Sequence, residues 1–153
     1  MDEVKNFIKK NRLMVLATIS AENDAPQMAL VYYVVDPHFH IYLATSKHSG
    51  KVRNIEDNGL VSLLIGHEVE PQTIQILGKA TVVKDLQRIS DYTAQILIRA
   101  NANQESVNFP PLLMLTSGQD LVLIRVEIEK FKFSDFSRGK AEITEGTESD
   151  LAH

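Results

Sequence analysis

Apolar residues recur along the chain with two periods, and each change of period marks a new element. Val4, Phe7 and Ile8 share one helical face, with Lys5, Lys9 and Lys10 away from it, so the first ten residues predict a short helix. Residues 13–19 are apolar on both faces and read as a strand. Residues 21–26 form a turn by composition, and the β-branched and aromatic run 27–35 predicts a second strand. Asp36-Pro37-His38 is the next turn and residues 40–45 the third strand, so short links suggest an antiparallel meander. In residues 46–58, Val52 and Ile55 stand at helical spacing. Ser49 is placed to cap that helix, Arg53 to pair with Asp57 across one turn, and Asn58-Gly59 to end it.

The alternating period returns in residues 60–66 and again in 73–83, where Gly78 suggests a bend or bulge. Leu86, Ile89, Ile96, Leu97 and Ala100 make a helical stripe. Residues 101–111 read as a polar loop and 121–136 as a long strand. In that strand Val122, Ile124, Val126 and Ile128 keep one phase and Phe131 and Phe133 the other, so a β-bulge is expected at Glu129-Lys130. From Ser137 to His153 the chain is mostly polar and is expected to be a flexible tail behind one domain of residues 1–136. The fold class predicted is mainly β with α-helices: a six- to seven-stranded antiparallel split β-barrel.

Composition narrows the chemistry. The 153 residues are 44% hydrophobic, enough for one core, and the net charge of −4 argues against coating nucleic acid by bulk charge. There is no cysteine, which excludes disulfides, thiolate metal sites and thiol catalysis. No apolar stretch is long enough to span a bilayer, and Met1-Asp2-Glu3-Val4-Lys5 lacks an apolar signal region, so a cytoplasmic protein is expected. The five histidines, His38, His40, His48, His67 and His153, contain no i, i+4 pair, and no metal site is expected. No nucleophile elbow is present. Adjacent Tyr32 and Tyr33 point to opposite faces, so one ring is free to line a pocket while the other packs; core packing by both is the simpler reading.

The strongest local signal is Thr45-Ser46-Lys47-His48-Ser49-Gly50-Lys51, between a strand and a helix. Helix N–H groups, hydroxyls, a glycine and two lysines suit a phosphate monoester, although a merely capped helix with solvated lysines explains the same residues. The Walker A spacing is absent.

In order, the segments 16–19, Pro26-Gln27, 41–45, 49–63 and 73–80 resemble the pyridoxamine 5′-phosphate oxidase-like superfamily of FMN-binding split β-barrels; residues 121–136 resemble its last strand more weakly. The resemblance implies a homodimer with FMN at the subunit interface. It implies that Lys51 contacts the FMN phosphate, with Ala44, Thr45, Ser46, Ser49 and Gly50 beside it. It places the strand holding Met28, Leu30, Val31, Tyr32 and Tyr33 along the flavin, and Thr73 where the true oxidase has a glutamine at the ring. In that oxidase Gly50 is an arginine, and Met28 and Tyr33 are an arginine and a lysine; Lys47 or Arg53 is left to compensate, with Arg53 expected to point elsewhere on the helix. The oxidase's C-terminal tryptophan segment is missing, since this chain has no tryptophan. The implied function is an FMN-dependent oxidoreductase acting on an unknown small molecule, with no catalytic side chain identified. The alternatives are a heme-binding barrel using His48 or His153, a deazaflavin-dependent reductase, and a non-enzymatic, stress-related flavin-binding module.

Overall fold

Both sequence periods persist in the computed structural model, which describes residues 1–67, 70–100 and 120–152. Helix α1 (Asp2–Lys10) buries Val4, Phe7 and Ile8, with acids in its first turn and lysines in its last, as the helix dipole favours. The strands are β1 (Leu13–Ile19), β2 (Pro26–Tyr32), β3 (Val34–Val35), β4 (Ile41–Ser46), β5 (Leu60–His67), β6 (Gln72–Val83), β7 (Leu121–Asp135) and β8 (Glu142–Thr147). They form one curled antiparallel sheet, a split β-barrel, in the order β2-β1-β5-β6-β7-β4-β3, with β8 also paired to β7. Helix α2 (Gly50–Asp57) follows β4, α3 (Leu86–Ala100) follows β6, and α4 (Glu148–Ala152) follows β8.

The path of the sheet runs through seven strands, in line with the six to seven expected, and β8 pairs beside it on β7; two features depart from the sequence pattern. First, the predicted strand 27–35 breaks at Tyr33, whose N–H donates to Arg12 O (3.0 Å) and whose hydroxyl donates to Ile8 O (2.6 Å). The chain before the break pairs with β1, and the chain after it pairs with β4. Second, the residues expected as a flexible tail form β8 and α4, which corrects that expectation. β4 pairs with β7 only as far as Val126, and β8 takes up the same edge from Lys130 to Asp135. Leu151 of α4 is 1% exposed, and Gly146 lies so close under Phe131 that a Cβ there would fall 2.6 Å from the ring. The pairing need of β7 and a single apolar plug supply the order that composition does not show.

The expected bulge is present. Leu77 faces Lys130 while Gly78 faces Ile128, so Glu129 has no partner across the ladder. A Cβ on Gly78 would lie 2.6 Å from Glu127 O, so the sheet curls there only around a glycine.

Inward-facing Met14, Leu16, Leu63, Ile74, Ile124 and Phe133 belong to one core. Outside it, α3 covers Tyr32, Val34, Tyr42 and Leu123 with Ile96 and Ala100, and the rings of Tyr42 and Tyr92 stack at 3.9 Å. The outward face of β1, β2 and β5 is left bare, with Met28 76%, Leu30 39%, Leu60 39% and Leu64 43% exposed. Strands apolar on both faces thus have a helix over one half and, among the described residues, no cover over the other. Leu151→Ala is expected to cost about 2–4 kcal/mol in urea unfolding; an unchanged midpoint would mean the C-terminal residues do not pack.

Candidate functional site

Helix α2 is pinned at three places. At its start, Thr45 Oγ1 donates to Ser49 Oγ (3.2 Å), and Ser49 N–H donates to Ser46 O (3.0 Å). At its middle, buried Asn54 donates from Nδ2 to Thr18 Oγ1 (3.0 Å) and Gln27 Oε1 (2.8 Å), and its Oδ1 accepts from Ala21 N–H (3.0 Å). Past its end, Gly59 O accepts Ala80 N–H (2.7 Å), and a Cβ on Gly59 would meet Ala80 O at 2.7 Å.

The first turn of α2 is rich in unused donors. Ser49 holds the N-cap position, with φ −69° and ψ 152°, yet its side chain makes no capping bond. Among the described residues, the amides of Gly50 and Lys51 have no partner. Ser46 Oγ accepts His48 N–H (3.2 Å) and Ser49 Oγ accepts from Thr45, so both serine hydroxyl protons stay available. Free N–H groups and hydroxyls at a helix start are the kind of donors that favour an anion.

The cations separate clearly. Lys47 Nζ lies 3.3 Å from Asp120 Oδ1, so its charge is already matched. Lys51 is half-buried and has no ion pair among the described residues; burial pulls its ammonium below the ordinary lysine value. Arg53 does not pair with Asp57. Its guanidinium folds back along the helix, with Nη2 3.9 Å from where a side chain on Gly50 would begin. That places it beside Gly50, on a different side of the helix from Lys51 two residues away.

The proposed flavin wall is distributed over both faces of β2. Val31 packs on the inner core, and Tyr33 lies within it, with burial pushing its phenol up. Tyr32 and Ala44 are outward but sit under α3. Met28 and Leu30 are outward and accessible, beside a groove of about 750 Å³ floored by Val15, Leu64 and Leu77 and edged by Lys132. Thr73 is far from the helix start within one chain: it stands opposite Ser134, whereas Thr45 stands opposite Val122 near the other end of β7.

The histidines do other work. His40 Nδ1 lies 2.9 Å from Asp36 Oδ2, and Asp36 Oδ1 accepts the N–H groups of His38 and His40 at 2.9 Å each, so this pair locks a turn. Burial works to raise the Asp36 carboxyl, but these hydrogen bonds hold it below its ordinary value. His48 is exposed, with Nε2 3.7 Å from Asp120 Oδ2, at the rim of a cleft of about 840 Å³ between α2 and α3. His153 and the loop 101–111 lie outside the described residues. Nothing in the local pattern singles out Asn54; its only signal is a polar residue beside Ile55 on the buried face of a short helix.

A family model described as pyridoxamine 5′-phosphate oxidase matches residues 1–134. No curated protein sequence matches the chain. Three solved structures with the same fold illustrate its range. General Stress Protein 26 from Bacillus anthracis is 22% identical, with a TM-score of 0.66 and coverage of 94% of this chain and 95% of that one. A heme binding protein from Mycobacterium smegmatis is 15% identical, with a TM-score of 0.69 and coverage of 98% and 58%. An FAD-binding protein from Mesorhizobium loti is 17% identical, with a TM-score of 0.62 and coverage of 86% and 91%.

The desolvation of Lys51 has a consequence for stability. Its folded-state value is lowered from 10.5, so the protonated chain is penalised on folding, and the penalty fades as pH rises from the lowered value to 10.5. Lys51→Met is expected to unfold later than the unsubstituted chain at neutral pH, with the gap narrowing as pH approaches 10.5. Urea midpoints across that range check it, and a gap independent of pH would contradict it.

Proposed function

From the premise that the chain belongs to the pyridoxamine 5′-phosphate oxidase family, we propose that it binds FMN and works as a flavin-dependent oxidoreductase on a small molecule. The observation that carries this reading is Lys51: a half-buried ammonium without a counterion among the described residues, at a helix start whose amides and hydroxyls are unused. A phosphate dianion answers each of these needs. Lys51, the Gly50 and Lys51 amides and the Ser46 and Ser49 hydroxyls bind it. Thr45 orients Ser49, and Arg53 holds a second cation beside Gly50.

FMN supplies hydride and single-electron chemistry that no side chain here offers. The protein's part is to grip the phosphate, to line the ligand with Met28 and Leu30, and to exclude water. We also propose a homodimer formed through the bare outward face carrying Met28, Leu30, Leu60 and Leu64. Thr73, distant from Lys51 in its own chain, then reaches a flavin only from the partner copy. A heme reading is supported by the likeness to the mycobacterial protein but not by His48, which is exposed beside Asp120.

Purified protein titrated with FMN, riboflavin, F420 and heme separates these readings: tight FMN binding is expected, and a Soret band without flavin binding would replace it with heme. Lys51→Ala is expected to weaken FMN by about ten- to a hundredfold, roughly 1.5–3 kcal/mol, and riboflavin far less. Equal affinities in mutant and parent would remove Lys51 from the site. In sedimentation, the parent is expected to run as two chains and Leu64→Asp as one; a monomeric parent would overturn the dimer.

A further inference from the structure

We propose that Asn54 is the positioning residue of the phosphate site: it fixes the first turn of α2, with Lys51, relative to the strand β2 that carries Met28. The proposal rests on the phosphate site argued above. Lys51 and Asn54 stand three residues apart, so they lie on neighbouring positions of one helix face. Apolar contacts from Val52 and Ile55 hold the helix down, but such contacts are non-directional and leave its rotation and slide loosely determined. The Asn54 amide supplies the direction. Its three hydrogen bonds reach Thr18 at the end of β1, Ala21 in the following turn and Gln27 in β2. Gln27 precedes Met28, so one buried side chain ties the anion anchor to the accessible wall.

A buried amide is a costly way to achieve this, because each unsatisfied polar atom is penalised. An apolar residue would fill the space but would leave the Ala21 N–H without its acceptor. It would also free α2 to settle by packing alone. A charged anchor displaced in this way grips phosphate less well, while a ligand without phosphate is unaffected.

The test compares FMN with riboflavin, by quenching of flavin fluorescence, in Asn54→Ala, Lys51→Ala and the double variant. Asn54→Ala is expected to reduce the preference for FMN by about three- to tenfold and to change riboflavin affinity by less than about twofold. In the Lys51→Ala background it is expected to reduce the preference further by less than about twofold, because most of its effect passes through the Lys51 ammonium. Gln27→Ala, an exposed residue whose loss removes one acceptor, is expected to act in the same direction more weakly and serves if Asn54→Ala does not fold. Equal losses for both ligands, or a full additional loss on top of Lys51→Ala, would show a purely structural role and overturn the proposal. If Lys51→Ala abolishes the preference while Asn54→Ala and Gln27→Ala retain it, the positioning role alone fails. If the parent does not prefer FMN to riboflavin, the phosphate site fails first and the role of Asn54 with it.

Discussion

The backbone of β7 has two edges to satisfy, and the rest of the sheet is arranged around that requirement. One edge meets β6 from Leu123 to Asp135; the other meets β4 and then β8, end to end. Buried peptide groups left unpaired are expensive, so a 15-residue strand in a small sheet calls for two partners on one side. Strand twist accumulates along it and turns the sheet into a partly closed barrel. Glu129 is the residue that does not fit the ladder, and the bulge around it is where the curl sharpens. The closing edge is the β2–β3 break, where Tyr33 leaves the strand to bond with Arg12 and Ile8.

Much of this was legible in the residues. α3 is legible from its regular apolar stripe alone; the structure adds a cap at its start, where Asp85 Oδ1 accepts Arg88 N–H at 2.9 Å. The bulge was legible because a phase slip in an alternating strand has no other simple cause. The break at Tyr33 was not, because its cause is a carbonyl on residue 12, far from the local pattern. β8 was not either: Glu142–Thr147 contains one large apolar residue, Ile143, and its strand character comes from the free edge of β7. Tertiary context here overrides local propensity.

The candidate site divides in the same way. Residue types alone point to Ser46, Ser49, Gly50 and Lys51, since those groups have a direct chemical affinity for phosphate. They do not say which lysine is free. That depends on Asp120, distant in sequence, which takes Lys47 and leaves Lys51 unpaired among the described residues. Nor do they show that α3 covers Tyr32 and Ala44, so that Met28 and Leu30 are the accessible part of the wall. The local chemistry was readable; its selection by neighbours was not.

The tyrosines lend the molecule an optical asymmetry. There is no tryptophan, and the four tyrosines are Tyr32, Tyr33, Tyr42 and Tyr92. Tyr33 is anchored to α1, Tyr32 and Tyr42 lie beneath α3, and Tyr92 stacks on Tyr42 from α3 itself. Intrinsic tyrosine emission therefore comes from the rings held by α1 and α3, and it reports whether those helices are docked. The start of α2 contains no such ring, so that end of the molecule is dark, and a coloured or fluorescent ligand arriving there brings its own signal against a quiet background.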